Sequence, residues 1–208
     1  MRFFLAASLS ALLLVLTAGC SETESDRIAH PNIVIVREFA APLGIVTLDP
    51  SFGFSLNRGE PGVPPRQRGA AVARAASFAL ADSIADRLRA LGFDVLRSQT
   101  AEPEPDARAL IVTGAFRKID EGYRRQVGAE NSGVAVDARV EYSAPASQSQ
   151  TLLSVHLDSG ELQGEAGVTA ATARGGPGIN AGARRVGSEI ARRIAELARL
   201  NNWPVAGR

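Results

Sequence analysis

The apolar positions after residue 31 recur at two spacings, one typical of helices and one of strands. Two long segments, 70–91 and 183–203, repeat apolar residues every three or four positions, which is the spacing of a single buried helix face. The predicted buried stripes are Val72, Ala76, Leu80, Ile84, Leu88 and Leu91 in the first segment, and Ala183, Val186, Ile190, Ile194 and Leu197 in the second. Gly92 follows the first stripe directly and predicts the end of that helix, because glycine favours the backbone conformation found there. Glu189 lies four residues before Arg193 and predicts an ion pair on the exposed face of the second helix.

Five shorter segments are apolar runs or alternate apolar with polar residues, which predicts strands. They are 32–40, 93–98, 109–122, 134–142 and 151–162, and a short extra strand is expected within 44–48. The segment 134–142 places Val134, Val136, Ala138, Val140 and Tyr142 on one face and Asp137, Arg139 and Glu141 on the other. This alternation predicts a strand with one face in water. In 151–162, the core-facing residues are predicted to be Leu153, Val155 and Leu157.

The order of these elements predicts an α+β fold, an α/β sandwich. We expect a mixed, partly antiparallel sheet of about five strands with two long helices packed on it. Residues 32–204 suit one domain of about 170 residues, followed by a disordered tail at 205–208. Residues 41–69 are rich in proline and glycine, and predict a long loop of a kind that is usually functional or mobile.

The first nineteen residues have the pattern of a secretory signal peptide. Arg2 is followed by a run, 3–16, that is apolar apart from two serines, and then by the small residues 17–19. The run is about 14 residues long, shorter than the ~20 that a helix needs to span a bilayer. Two alternatives are an ordinary signal peptide with a nearby cysteine, and a buried core helix.

The chain has a single cysteine, Cys20, directly behind this apolar run. The stretch "LTAGC" at 16–20 resembles the lipobox of bacterial lipoproteins. The resemblance implies that the signal is cut between Gly19 and Cys20, that the thiol receives a diacylglycerol, and that the new amino group is acylated with a fatty acid such as palmitate. Two or three such chains hold a protein firmly, whereas one binds only marginally. Residues 20–31 are then the lipidated cysteine and a flexible tether. The following residue, Ser21, resembles the sorting signal of lipoproteins that are sent to the outer membrane. We therefore expect a lipid anchor in the outer membrane with the domain in the periplasm.

Charge argues against a nucleic-acid partner. The full chain has a formal net charge of +1, and removal of residues 1–19, whose only charge is Arg2, leaves the mature chain near zero. Proteins that bind nucleic acids carry a basic surface that neutralises phosphates.

No motif in the sequence predicts a catalytic residue, a metal or a cofactor. The two histidines, His30 and His156, lack the HExxH spacing of a zinc site. The chain also has no GxSxG serine and no phosphate-binding loop. We expect a surface or packing role for His156.

The acidic residues in the middle of the chain do not form a calcium-binding loop. They are Asp120, Glu121, Glu130 and Asp137, and no Dx[DN]xDG pattern frames them. We therefore expect solvated charges in turns.

The order of the predicted elements and the residue pattern in 32–203 resemble those of the bacterial lipoproteins in the family of unknown function numbered 4410. The resemblance is carried by the segments "IVIVREFAAP", "RAASFALADSIADRLRALGFDV", "ALIVTGAF", "VGAENSGVAVDARV" and the final "NNW". The layout is also similar to that of curli-export and cell-wall-synthase activator lipoproteins. The resemblance implies an envelope protein that works by binding other proteins, and it supplies no catalytic residues.

The sequence-based hypothesis is a lipid-anchored envelope protein with a non-catalytic binding, assembly or adaptor role. Its contact surface is expected in the long loop, at Phe52 and Phe54, with Arg124 and Arg125 as a further candidate. These two arginines could bind an acidic partner or phosphate, and the alternative is that they lie in a solvated loop. Two alternatives are a lipoprotein enzyme acting on cell-wall or lipid substrates, and a subunit of an oligomeric export complex. The sequence leaves the oligomeric state open.

Overall fold

A computed structural model of the 208-residue chain describes residues 28–49, 64–103, 106–122, 132–145, 147–162 and 178–206. Its elements are β1 (Ile33–Val36), β2 (Val46–Thr47), α1 (Pro65–Ala90), β3 (Val95–Arg97), β4 (Ala109–Asp120), β5 (Gly133–Ser143), β6 (Gln150–Asp158) and α2 (Ile179–Leu200). One turn of 3-10 helix, Leu43–Ile45, precedes β2. The predicted α+β class is confirmed, with one mixed sheet and two long helices.

The sheet has six strands, of which five lie in the order β3-β1-β4-β5-β6. β1 is parallel to both of its neighbours, whereas β5 is antiparallel to β4 and β6. The sixth strand is β2, the short extra strand expected within 44–48, which pairs with the last residues of β4. A parallel bridge from Ala40 to Ala115 lies between β1 and β2 along the same side of β4. The chain from β1 to β2 therefore follows β4 as one interrupted strand.

The predicted faces of β5 and β6 are confirmed. The five apolar residues of β5 predicted on the core face are buried, and Asp137, Arg139 and Glu141 alternate with them on the other face. Val136, Ala138 and Val140 pair with Leu157, Val155 and Leu153 of β6. Leu157 is buried, whereas Leu153 and Val155 are only partly buried.

Both helices belong to one apolar core on the same face of the sheet. Leu80, Ile84 and Leu88 of α1 are buried, as are Ile190 and Ile194 of α2, which confirms the centres of both predicted stripes. The helices begin earlier than predicted, at Pro65 and Ile179. The proline at the start of α1 is compatible with a first helical turn, where its missing N–H is not needed. The ion pair of Glu189 with Arg193 is present at 2.9 Å.

The two helices approach each other closely at Gly187. A Cβ atom there would lie 2.7 Å from the carbonyl oxygen of Leu80, so only glycine fits the present spacing. Gly114 of β4 is covered in a similar way by the ring of Phe39, which stands edge-on to Phe116 at 6.4 Å.

Residues 28–31 contact the domain, which corrects the predicted boundary of the tether. The backbone N–H of Ile28 donates to Asn201 Oδ1 at 2.9 Å, and the Trp203 indole N–H donates to the carbonyl oxygen of Ile28 at 2.6 Å. His30 stacks on Phe93 with ring centroids 5.8 Å apart. The polar composition of residues 20–31 suggested a tether. Residues 28–31, however, form backbone hydrogen bonds and aromatic contacts with residues that are distant in sequence.

Residues 205 and 206 also contact the domain, although the sequence predicts a tail that begins at residue 205. Val205 packs against the core, and the N–H of Ala206 donates to the carbonyl oxygen of Leu91 at 2.8 Å. Among the described residues, neither helix is long and apolar enough to cross a membrane.

Candidate functional site

The residues that flank three long connections lie at one end of the fold, which we call the loop end. β2 and β4 end there, β5 begins there, and α1 begins beside them. β6 ends and α2 begins at the same place, since Ser159 hydrogen-bonds to Val134 and lies against Gly182. The opposite end, called here the entry end, is where residues 28–32 join the domain and where both helices finish. The connections 50–63, 123–131 and 163–177 therefore all leave from and return to the loop end.

A buried polar network joins the starting points of two of these connections. The Arg68 guanidinium donates to Glu121 Oε2 at 2.6 Å and to the carbonyl oxygen of Asp49 at 3.0 Å. The N–H of Asp49 donates to the same Glu121 oxygen at 2.9 Å, and the N–H of Glu121 donates to Thr47 at 3.0 Å. The network thus holds the end of β2, the end of β4 and the first turn of α1 together.

The prediction that Glu121 is a solvated turn charge is wrong. Glu121 is only 8% exposed, and its carboxylate is the acceptor shared by Arg68 and Asp49. A buried carboxylate requires a partner of opposite charge or several hydrogen bonds, and Glu121 has both. Arg68 lies 53 residues away in sequence, so no local pattern could have predicted the pair.

All four residues predicted to contact a partner lie outside the described residues. The described residues that precede them, Asp49 and Glu121, both belong to this network. Phe52 and Phe54 follow Asp49 by three and five residues, and Arg124 and Arg125 follow Glu121 by three and four. Cys20 and Gly19 also lie outside the described residues. The structure therefore brings together the anchoring points of the two predicted contact segments, which sequence reasoning had treated separately.

Replacement of Glu121 by alanine is expected to destabilise the loop end, because Arg68 and the Asp49 N–H both lose the acceptor they share. Loss of a buried charged hydrogen-bond partner costs ~1–3 kcal/mol. The matched control is Glu102→Ala, since Glu102 also pairs with an arginine but is largely exposed. Chemical denaturation of the two variants measures the difference, and equal stabilities would contradict a structural role for the network.

A second polar cluster lies on the face of the sheet opposite the helices. Asp137 accepts from His156 Nδ1 at 2.9 Å and from Arg117 Nε at 2.5 Å, and all three side chains are well exposed. The hydrogen bond from His156, supported by the charge of Arg117, holds the pKa of Asp137 below its usual value. Asp137 is the only hydrogen-bond partner of His156 among the described residues, so the cluster fits the surface role expected for this histidine.

A shallow cleft of about 510 Å³ lies at the entry end. It is lined by His30, Gly92, Asn202, Trp203, Pro204, Val205 and Ala206. Burial, together with the nearby charge of Arg108, lowers the pKa of His30 from its usual value, so the ring that stacks on Phe93 favours its neutral form. These contacts fasten the incoming chain to the end of α2.

Within the part of the chain that the structure describes, no group of three or more His, Cys, Asp or Glu residues could hold a metal ion.

No family model matches the chain, and no curated protein matches it in sequence. A crystal structure described as an uncharacterized protein is similar over 84% of this chain and 94% of its own, with 12% identity and a TM-score of 0.35.

Proposed function

We propose that this protein is a lipid-anchored component of the bacterial cell envelope with a binding or assembly role. The observation that carries the proposal is the position of the single cysteine, Cys20, behind an apolar run and in the stretch "LTAGC". Cleavage before Cys20 would leave a chain held to the membrane by two or three acyl chains, which is a stable anchor. Ser21 supports a location in the outer membrane with the domain in the periplasm. The resemblance of residues 32–203 to bacterial lipoproteins of family 4410 supports a role in binding other envelope proteins.

The contact surface proposed for a partner is the loop end. Phe52 and Phe54 belong to one connection that starts there, and Arg124 and Arg125 belong to another. The Glu121 network keeps the bases of both connections at a fixed spacing. Phenylalanine and arginine are both more frequent at protein interfaces than on the rest of the surface.

Under this proposal the lipid-anchored segment joins the domain at the entry end, whereas the proposed contact surface is at the loop end. The chain enters at Ile28, and β4 runs 12 residues from the entry end to the loop end, a length of ~35–40 Å. Eight backbone steps separate Cys20 from Ile28 and reach at most ~26–29 Å. Lipid attachment at Cys20 therefore leaves the loop end available to another protein.

A photo-activatable amino acid placed at Phe52 or Arg124 tests this surface in intact cells. We expect both positions to cross-link to the same envelope protein, because their connections start from one network. The control position is Arg199, which is exposed near the end of α2, at the entry end. Equal labelling from all three positions, or no adduct at either loop-end position, would contradict the proposal.

A further inference from the structure

β6 forms one edge of the sheet, and no strand pairs with its outer side among the residues that the structure describes. It is nine residues long, whereas β3 at the other edge has only three. A long edge strand presents a row of backbone N–H and C=O groups that can pair with another strand.

The backbone groups that point outward from β6 can be identified from its pairing with β5. The N–H of Ser159 donates to the carbonyl oxygen of Val134, so these two residues form a hydrogen-bonded pair. Antiparallel pairs alternate, so Val155 is also in a hydrogen-bonded pair with β5, whereas Ser154 and His156 are not. The N–H and C=O groups of Ser154 and His156 therefore point to the free edge.

The middle of β6 lacks the side chains that usually protect an edge. Between Gln150 and Leu157 the strand contains no Asp, Glu, Lys, Arg or Pro. Natural edge strands avoid pairing with one another by charged residues, by proline or by bulges. The one irregularity in the β5–β6 register lies near the start of β6, before Leu153, and leaves residues 153–158 regular.

The side chains of β6 are self-complementary when two copies run antiparallel about Val155. In this register Val155 faces Val155 of a second copy, Leu153 faces Leu157, and Ser154 faces His156. The first two pairs join apolar residues on the helix-bearing face, and Leu153 and Val155 are still partly exposed there. Apolar and β-branched cross-strand pairs stabilise a sheet, and no pair in this register brings like charges together.

We propose that the protein forms a symmetric dimer in which the β6 strands of two copies pair antiparallel, centred on Val155. Ser154 and His156 of each copy exchange backbone hydrogen bonds with those of the other, and the two sheets become one. The two-fold axis stands perpendicular to the sheet, so the helices of both copies stay on the same face. The pairing needs neither the lipid nor a partner at the loop end, so it stands apart from the function proposed above.

Disulfide trapping tests this register directly. Residues opposite each other in a non-hydrogen-bonded antiparallel pair have Cα atoms ~4.5 Å apart, within the ~4.4–6.8 Å that a disulfide spans. The full chain carrying Cys20→Ser has no native thiol. In that background and in mild detergent, Val155→Cys should oxidise to a reducible dimer in most of the protein. The matched control Thr151→Cys, on the same exposed strand but far from the axis, should give at least tenfold less.

The mass of the wild-type chain in the same detergent provides a measurement that does not depend on the variant folding. Light scattering should give two chains per particle, and Val155→Arg, which places like charges opposite each other at the axis, should give one. A monomeric wild-type chain would overturn the proposal, as would a dimer unaffected by Val155→Arg. Cross-linking from Thr151→Cys equal to that from Val155→Cys would overturn the register.

Discussion

Truncation of Ile190 to alanine is expected to lower the melting temperature of the protein by about 4–20 °C. Ile190 is fully buried, at the centre of the α2 stripe and in the same core as Leu80 and Val136. Removing a buried isoleucine to alanine costs ~2–5 kcal/mol, since both the transfer free energy and a residual cavity are involved. Each kcal/mol lowers the melting temperature of a domain of this size by about 2–4 °C.

Leu200→Ala is the matched control for this experiment. Leu200 lies on the same helix and has the same number of side-chain carbons, but it is 76% exposed. A surface truncation of this kind changes stability by at most ~0.5 kcal/mol. If the two variants melt together, α2 does not bury the face assigned to it.

Replacement of Cys20 by serine is expected to abolish lipid attachment, which is the largest effect predicted for any single substitution. Serine has no thiol to accept diacylglycerol, so under the proposed function no acyl chain is attached and the signal is not processed normally. Each buried CH₂ of an acyl chain contributes ~0.8 kcal/mol to membrane affinity, and the proposal predicts that this whole contribution is lost. Metabolic labelling with a radioactive fatty acid should mark the wild-type chain and leave Cys20→Ser unlabelled.

Ser21→Ala is the control for the labelling experiment, because it changes the neighbouring residue and keeps the thiol. It should take up the fatty acid as the wild type does. A Cys20→Ser chain that is cut normally and still partitions into detergent would contradict the lipoprotein proposal.

Periodicity predicted the elements that are long and buried on one face. In α2 the buried stripe through Ile190 and Ile194 places an apolar residue on the same face at every turn, and β5 does so at every second position. Because each pattern recurs many times along its element, it is clear in the sequence. The sequence predicted the first residues of the two helices less accurately. Pro65 at the beginning of α1 belongs to a proline-rich stretch that composition alone assigns to a loop.

Contacts between distant residues could not be predicted from the sequence. Glu121 meets Arg68, and Ile28 meets Asn201 and Trp203, across separations of 53 to 175 residues. Each contact depends on the topology, which brings the ends of β2 and β4 to the start of α1 at the loop end, and brings Ile28 to the residues after α2 at the entry end. The sequence identified the two connections that carry the candidate contact residues. Only the topology shows that both connections start from the Glu121 network.

Mass spectrometry of the N-terminus of the mature protein, purified from membranes in detergent, tests the central claim most directly. The proposal predicts that the chain begins at Cys20, that its first peptide carries the mass of a diacylglyceryl group with or without a further acyl chain, and that no peptide from residues 1–19 remains. A chain that begins at Met1, or that is cut elsewhere and retains an unmodified Cys20 thiol, would contradict it.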